Sequence, residues 1–171
     1  MKKILLLLIT IPIFVIGCSS EANLVTYDNE ELTRIFKNEF VQPKHSEELN
    51  EESSLPKLPT KLPFKPDQVD FSQPPPHYEE GSLFLIFDFL SKGESYAHLQ
   101  LQVVNMETEY DTDFEAIKIG DIEGFYYSES PDLMLLNWVE EEIHYDLKYV
   151  ASSSDKYISK EEFITIAESF K

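Results

Sequence analysis

Cysteine is almost missing from this chain: Cys18 is the only one. No intramolecular disulfide can brace the fold, and zinc sites built on paired cysteines are excluded. Glycine is scarce as well, with 5 in 171 residues, and none of them builds a phosphate-cradling loop or a nucleophile elbow. Positive charge is the third shortage, since 14 Lys and Arg stand against 32 Asp and Glu for a formal charge of -18. A nucleic-acid partner needs a basic surface to neutralise its phosphates, so that class falls away. Arg34 is the single Arg, a Lys bias that points to a low-GC coding genome and a Gram-positive cell. Long apolar runs are lacking too. The longest, Ile4 to Gly17, is too short to span a bilayer comfortably.

That short run is nevertheless the most informative stretch. Lys2 and Lys3 precede it, and it ends in Val15-Ile16-Gly17-Cys18. A basic start followed by a short apolar segment is a secretory signal. A cysteine directly after a small residue is where a lipoprotein signal peptidase would cut. The sequence therefore predicts removal of residues 1–17 and a diacylglyceryl thioether on Cys18. Each buried CH2 contributes about 0.8 kcal/mol, so two acyl chains hold where one is marginal. The expected location is the extracytoplasmic face of the cell membrane, anchored to it and not threaded through it. Loss of Lys2 and Lys3 makes the remaining chain still more acidic.

After Cys18 the organisation reads as a tether over 18–27, a short amphipathic helix over 28–40, an acidic linker over 41–54 and one domain over 55–171. Asp28 and Glu31 form a capping box, Tyr27 and Leu32 a hydrophobic staple, and Leu32, Ile35, Phe36 and Phe40 fall on one helical face. That face either packs on the domain or docks on a partner protein. The linker carries Glu47-Glu48-Leu49-Asn50-Glu51-Glu52 and no periodicity. From Leu55 to Pro66, prolines interleaved with Leu58, Leu62 and Phe64 predict an extended entry segment whose apolar side chains cover one edge of the domain.

Beyond Gly81 the pattern is that of antiparallel strands. Ser82 to Phe89 is apolar on both alternating sets except at Asp88, which predicts a central strand covered on both faces. Tyr96 to Val104 alternates Ala97, Leu99, Leu101 and Val103 with His98, Gln100 and Gln102. Further strands follow over Glu115 to Ile119, Ile122 to Ser128, Leu133 to Val139 and Ile143 to Val150, the last with Ile143, Tyr145, Leu147 and Tyr149 on one face. Ser159 and Glu162 open a closing helix, stapled by Ile158 and Phe163 and lined by Phe163, Ile166, Ala167 and Phe170. The expected fold is α+β: a curved antiparallel up-and-down meander packed by this C-terminal helix on its concave face, with the short N-terminal helix nearby.

Ile122-Glu123-Gly124-Phe125-Tyr126, Leu135-Leu136-Asn137-Trp138, Tyr145-Asp146-Leu147, Ile158-Ser159-Lys160-Glu161-Glu162 and Ile166-Ala167-Glu168-Ser169 occur in that order. Together they resemble a C-terminal domain of unknown function found in Gram-positive lipoproteins and in the outer parts of anti-sigma-type membrane proteins. With the Pro-rich entry at Leu58 to Phe64, the resemblance covers about residues 55–171. It implies a non-enzymatic extracytoplasmic domain and brings no catalytic residue with it. Glu140-Glu141-Glu142 departs from the pattern, since such domains usually turn on a Gly there. Trp138 and Tyr145 are expected in the core, not on a ligand platform.

Signals for chemistry are thin. Of the 4 histidines, none has a metal-ligand spacing with Cys or a second His. His98 and His144 fall on polar strand faces and are candidate neighbours. Glu109, Asp111 and Asp113, part of an alternating run from Glu107 to Glu115, are the candidate ligands of a weakly held hard cation, and a solvated acidic loop is the plainer reading. No catalytic set, cofactor or firm metal site is expected. The favoured function is an anchored binding or sensing module for a protein or envelope partner, through the Leu32/Ile35/Phe36/Phe40 face or the exposed sheet. The alternatives are a carrier holding a lipid or glycolipid in an apolar pocket under the sheet and, last, an envelope hydrolase.

Overall fold

The computed structural model describes residues 24–28, 30, 34, 56–72, 84–105 and 113–171. Within them the chain forms β1 (Val25–Thr26), β2 (Lys61–Leu62), β3 (Gln68–Ser72), β4 (Phe84–Ser91), β5 (Ala97–Val104), β6 (Glu115–Ile119), β7 (Ile122–Ser130), β8 (Leu133–Glu140) and β9 (Ile143–Ala151). A 3-10 turn at Ser154–Lys156 and helix α1 (Lys160–Ala167) complete it. The architecture is a mostly antiparallel sheet with one helix. The signal at 1–17, Cys18, the linker over 41–54 and the helical face of Leu32, Ile35, Phe36 and Phe40 lie outside the described residues. Asp28 is described, and its Oδ1 accepts the Glu30 N–H at 2.9 Å, the bond a capping residue there makes.

The strands follow the order β3-β4-β5-β9-β8-β7-β6 in a seven-stranded sheet. This corrects the simple meander. Two antiparallel runs, β3 to β5 and β6 to β9, join where β9 pairs with β5, and β6 is sent to the far edge. The centre of the sheet is fully buried on its packed face. Leu99, Leu101 and Val103 of β5 stand opposite Tyr149, Leu147 and Tyr145 of β9, and all six are at most 2 % exposed. Two apolar alternations meet in the middle, and β4 beside them buries Leu85, Phe87 and Phe89 as completely. In β6 only Ile119 is buried, which suits an edge.

Register divides the side chains cleanly between two faces. The packed face carries Leu85, Phe87, Phe89, Leu99, Leu101, Leu136, Trp138, Tyr145, Leu147 and Tyr149, all at most 2 % exposed. Burial of such side chains stabilises by about 1.5–3 kcal/mol each. Trp138 and Tyr145 are core residues as expected: their rings stack at 5.1 Å, and Phe170 meets both edge-on. Gly124 stands opposite Trp138 on this face. A Cβ there would meet Ile119 Cδ1 at 2.7 Å and Asn137 O at 3.2 Å, so a side chain at this position has to displace Ile119 and crowd the β8 backbone.

A second layer covers this face. Helix α1 contributes Phe163, Ile166 and Ala167. Its capping box is the one expected, with Ser159 Oγ accepting from Glu162 N–H at 3.1 Å and the Glu162 carboxylate accepting from Ser159 N–H. Phe170 lies beyond the helix end, in an extended bridge to Pro59. The entry segment does not cover an edge. Leu58, Leu62 and Phe64 are buried, and the Phe64 ring lies 6.5 Å from Tyr149 of the central β9, so the segment crosses the middle of the face.

The tether is shorter than 18–27. Leu24 packs against the core, Val25 and Thr26 pair with Leu62 and Lys61, and the Tyr27 ring meets Phe89 edge-on at 6.0 Å.

Candidate functional site

Elements β1, β2 and α1 all lie on the packed face, so the other face of the sheet is where side chains with polar chemistry collect. Along β4 the residues alternate between buried and half-buried. Asp88 therefore points away from the core although it interrupts an apolar run. In register beside it stands Gln100 of β5, followed by Lys148 of β9 and Leu135 of β8. One row on, Ile86, Gln102, Asp146, Asn137 and Phe125 line up across the same strands. Pleat and pairing alone thus place a polar strip across the centre of the open face.

Two hydrogen-bonded groups organise that strip. Asp88 Oδ1 accepts from Gln100 Nε2 at 2.8 Å and pairs with His98 Nε2 at 2.7 Å. The Asp88 and His98 side chains are each 22 % exposed, wet enough to exchange partners and dry enough to be held. The second group is Asn137, whose Nδ2 donates to Asp146 Oδ1. Burial pushes the Asp146 carboxyl above its ordinary pKa, opposed by the Asn137 hydrogen bond and the charge of His144. Among the described residues, the buried Asn137 Oδ1 has no hydrogen-bond partner. An unpaired buried carbonyl oxygen costs about 1–3 kcal/mol and is relieved by any ligand that brings a donor.

Apolar side chains frame the strip. Phe114 and Tyr127 pack ring to ring at 5.4 Å on the β7 side, Phe84, Ile86 and Leu90 are half-buried along β4, and Val139 is 41 % exposed. A polar centre with an apolar rim suits the capture of a partner that has both characters.

The residues singled out from sequence fare differently. His98 and His144 share the open face but are not neighbours. His98 stands opposite Val150 and His144 opposite Val104, at the two ends of the β5/β9 pair, roughly 20 Å apart at the usual rise per residue. Of the candidate cation ligands, Glu109 and Asp111 lie outside the described residues and Asp113 is exposed. Among the described residues no group of three or more His, Cys, Asp or Glu is placed to hold a metal ion. Glu115, at the end of that run, is bound to Lys160 Nζ at 2.6 Å. Sequence reasoning passed over Asp88, Gln100, Asn137 and Asp146 as site residues. The available signal was Asp88 itself, a carboxylate inside Phe84-Leu85-Ile86-Phe87-Asp88-Phe89.

No transmembrane helix is found among the described residues. Comparison with family models, curated proteins and solved structures finds no match, so the site rests on its own geometry.

Proposed function

We propose that the chain is a lipoprotein anchored through Cys18 at the extracytoplasmic face of the membrane, and that it works as a non-enzymatic binding or sensing module whose open sheet face meets a protein or other envelope partner. The observation that carries this reading is the asymmetry of the sheet. One face is sealed under α1, β1 and the entry segment, while the other holds Asp88, His98, Gln100 and Asn137, whose Oδ1 has no partner among the described residues, within a half-buried apolar frame. The resemblance to outer domains of Gram-positive envelope proteins implies the same role. A short N-terminal helix presenting Leu32, Ile35, Phe36 and Phe40 beside a curved sheet, as a second contact, belongs to the same proposal.

Two points favour binding over the other classes. Among the described residues the His98 side chain is held by Asp88 and bonds to no side-chain hydroxyl, the arrangement of a positioned polar contact. Below the sheet, Leu62, Phe87, Leu101, Leu136 and Phe163 are fully buried, and they fill the space a carrier would need for a lipid tail.

Site-specific photocrosslinking in the native envelope tests the proposal. A photoreactive side chain is placed at Leu135 or Lys148 on the open face, or at Glu161 on α1. Discrete adducts from the first two positions and none from the third are the expected result. Adducts from Glu161 alone would move the contact to the other layer and sink the assignment.

A further inference from the structure

The point at which the fold takes hold of the N-terminal chain limits how the domain sits on a membrane. Leu24 is half-buried against the core, and the Tyr27 N–H donates to Thr60 O at 2.8 Å. From Cys18 to Leu24 the chain reaches at most roughly 20 Å when fully extended. With Cys18 in a bilayer, the domain stays close to the headgroups, and the side from which Leu24 emerges is the side that faces them.

That side has an unusual charge. Residues 56–66 contain Lys57, Lys61 and Lys65 and no Asp or Glu, in a chain where acids outnumber bases 32 to 14. Lys57 is occupied by Glu140 Oε1 at 2.5 Å. Lys61 and Lys65 are exposed, and among the described residues neither has an ion-pair partner. Lys61 pairs directly with Thr26, two residues after the chain enters the fold. The flanking acids Asp28 and Asp67 accept backbone N–H groups, Asp28 Oδ1 from Glu30 and Asp67 Oδ2 from Lys92 at 2.7 Å, which fixes their position and leaves their charge in place.

We propose that the outer surface of the β1/β2 layer, with Lys61 and Lys65, rests on the anionic lipid headgroups of the bilayer that holds Cys18. This rests on the lipid-anchor reading and gives it a direction. An acidic domain within about a Debye length of an anionic surface is repelled from most of its sides, and this basic strip is the side that is attracted. Because β1 and β2 cover the packed face of the sheet, the strip of Asp88, His98 and Gln100 is turned away from the bilayer, toward partners in the envelope.

The test uses the protein extracted from its own membranes and reconstituted into vesicles of phosphatidylcholine alone or of phosphatidylcholine with phosphatidylglycerol. Amine labelling by a soluble reagent is read residue by residue. Lys61 and Lys65 are expected to label more slowly on the anionic vesicles, by about fivefold each from the usual attraction of a lysine to such a surface, while Lys148 on the open face is unchanged. Equal labelling of Lys61 and Lys65 on both vesicles, or selective slowing at Lys148, overturns the orientation and leaves the anchor standing. An intact mass without acyl groups on Cys18 overturns the anchor, and the orientation with it.

Discussion

Glu141 and Glu142 form the tip between β8 and β9 with φ of 52° and 67°, a left-handed conformation that costs a non-glycine residue about 1–2 kcal/mol. With Glu140 paired to Ile143 across them, they make a two-residue hairpin turn that asks for Asn-Gly. The sequence announced an acidic turn; the backbone conformation was not legible, because three glutamates carry no turn signal of their own. Replacing Glu141 by Asn and Glu142 by Gly together is expected to raise stability by about 1–2 kcal/mol in urea unfolding. Asp146 gives a second test. Burial raises its pKa above 3.8 in the folded state, so the folded protein holds that proton more tightly than the unfolded chain. Its contribution is favourable below pH 3.8 and is lost as pH rises through the folded pKa. Asp146→Asn carries no charge at any pH and offers an amide N–H to Asn137 Oδ1. The variant should be more stable than the parent at pH 7, with the gain shrinking toward pH 4 in urea titrations. A loss at pH 7 would mean that the charged bond to Asn137 outweighs burial.

At the level of elements, periodicity identified most of the sheet and the closing helix, together with the side chains each buries, because alternation and capping are local. It did not identify neighbours. Nothing in β5 and β6 says that β9 comes between them; consecutive strands are adjacent only about two-thirds of the time, and the inward sets of β4, β5 and β9 are too alike in burial to choose a neighbour. The entry segment shows the same limit. Its prolines announced an extended path and its Leu and Phe residues a buried side, yet the layer it joins depends on Ser169, some hundred residues away. The Ser169 Oγ donates to Ile166 O at 2.7 Å and accepts the Lys61 N–H at 3.0 Å, and Ser169 O accepts the Thr60 hydroxyl at 2.7 Å. Ser169 is 5 % exposed, so Ser169→Ala takes an acceptor from the part-buried Lys61 N–H and removes the buried bond to Ile166 O. The expected loss is about 1–3 kcal/mol in thermal unfolding. The amides of Thr60 and Lys61 should exchange faster with solvent while those of β5 and β9 do not. Uniform acceleration across the sheet would show instead that Ser169 serves only overall stability.

On the scale of the whole molecule, the described chain has one core in which both ends take part. β1, the entry segment and the C-terminal residues lie side by side over the sheet: Leu58 exchanges backbone hydrogen bonds with Lys171, and Thr26 pairs with Lys61. Length and composition announced a single domain, and the described buried residues form one cluster. The domain's boundary was not legible, because Leu24 to Tyr27 is too short to show periodicity and declares itself only by packing on Phe89 and Thr60. An N-terminal strap held this way should melt with the core and not before it. Trp138 is the only tryptophan and lies between Tyr145 and Phe170, so its fluorescence reports the place where sheet and second layer meet. Urea unfolding followed by Trp138 fluorescence and by far-ultraviolet dichroism should trace one coincident transition. Tyr27→Ala should lower both midpoints together, for a stability loss of about 1–2 kcal/mol, the range for losing an edge-on ring contact and part of its burial. If fluorescence and dichroism separate in that variant, the second layer opens while the sheet persists. The strap would then be a detachable clasp between the tether and the domain, and the short leash that fixes the side facing the membrane would lengthen whenever it opened.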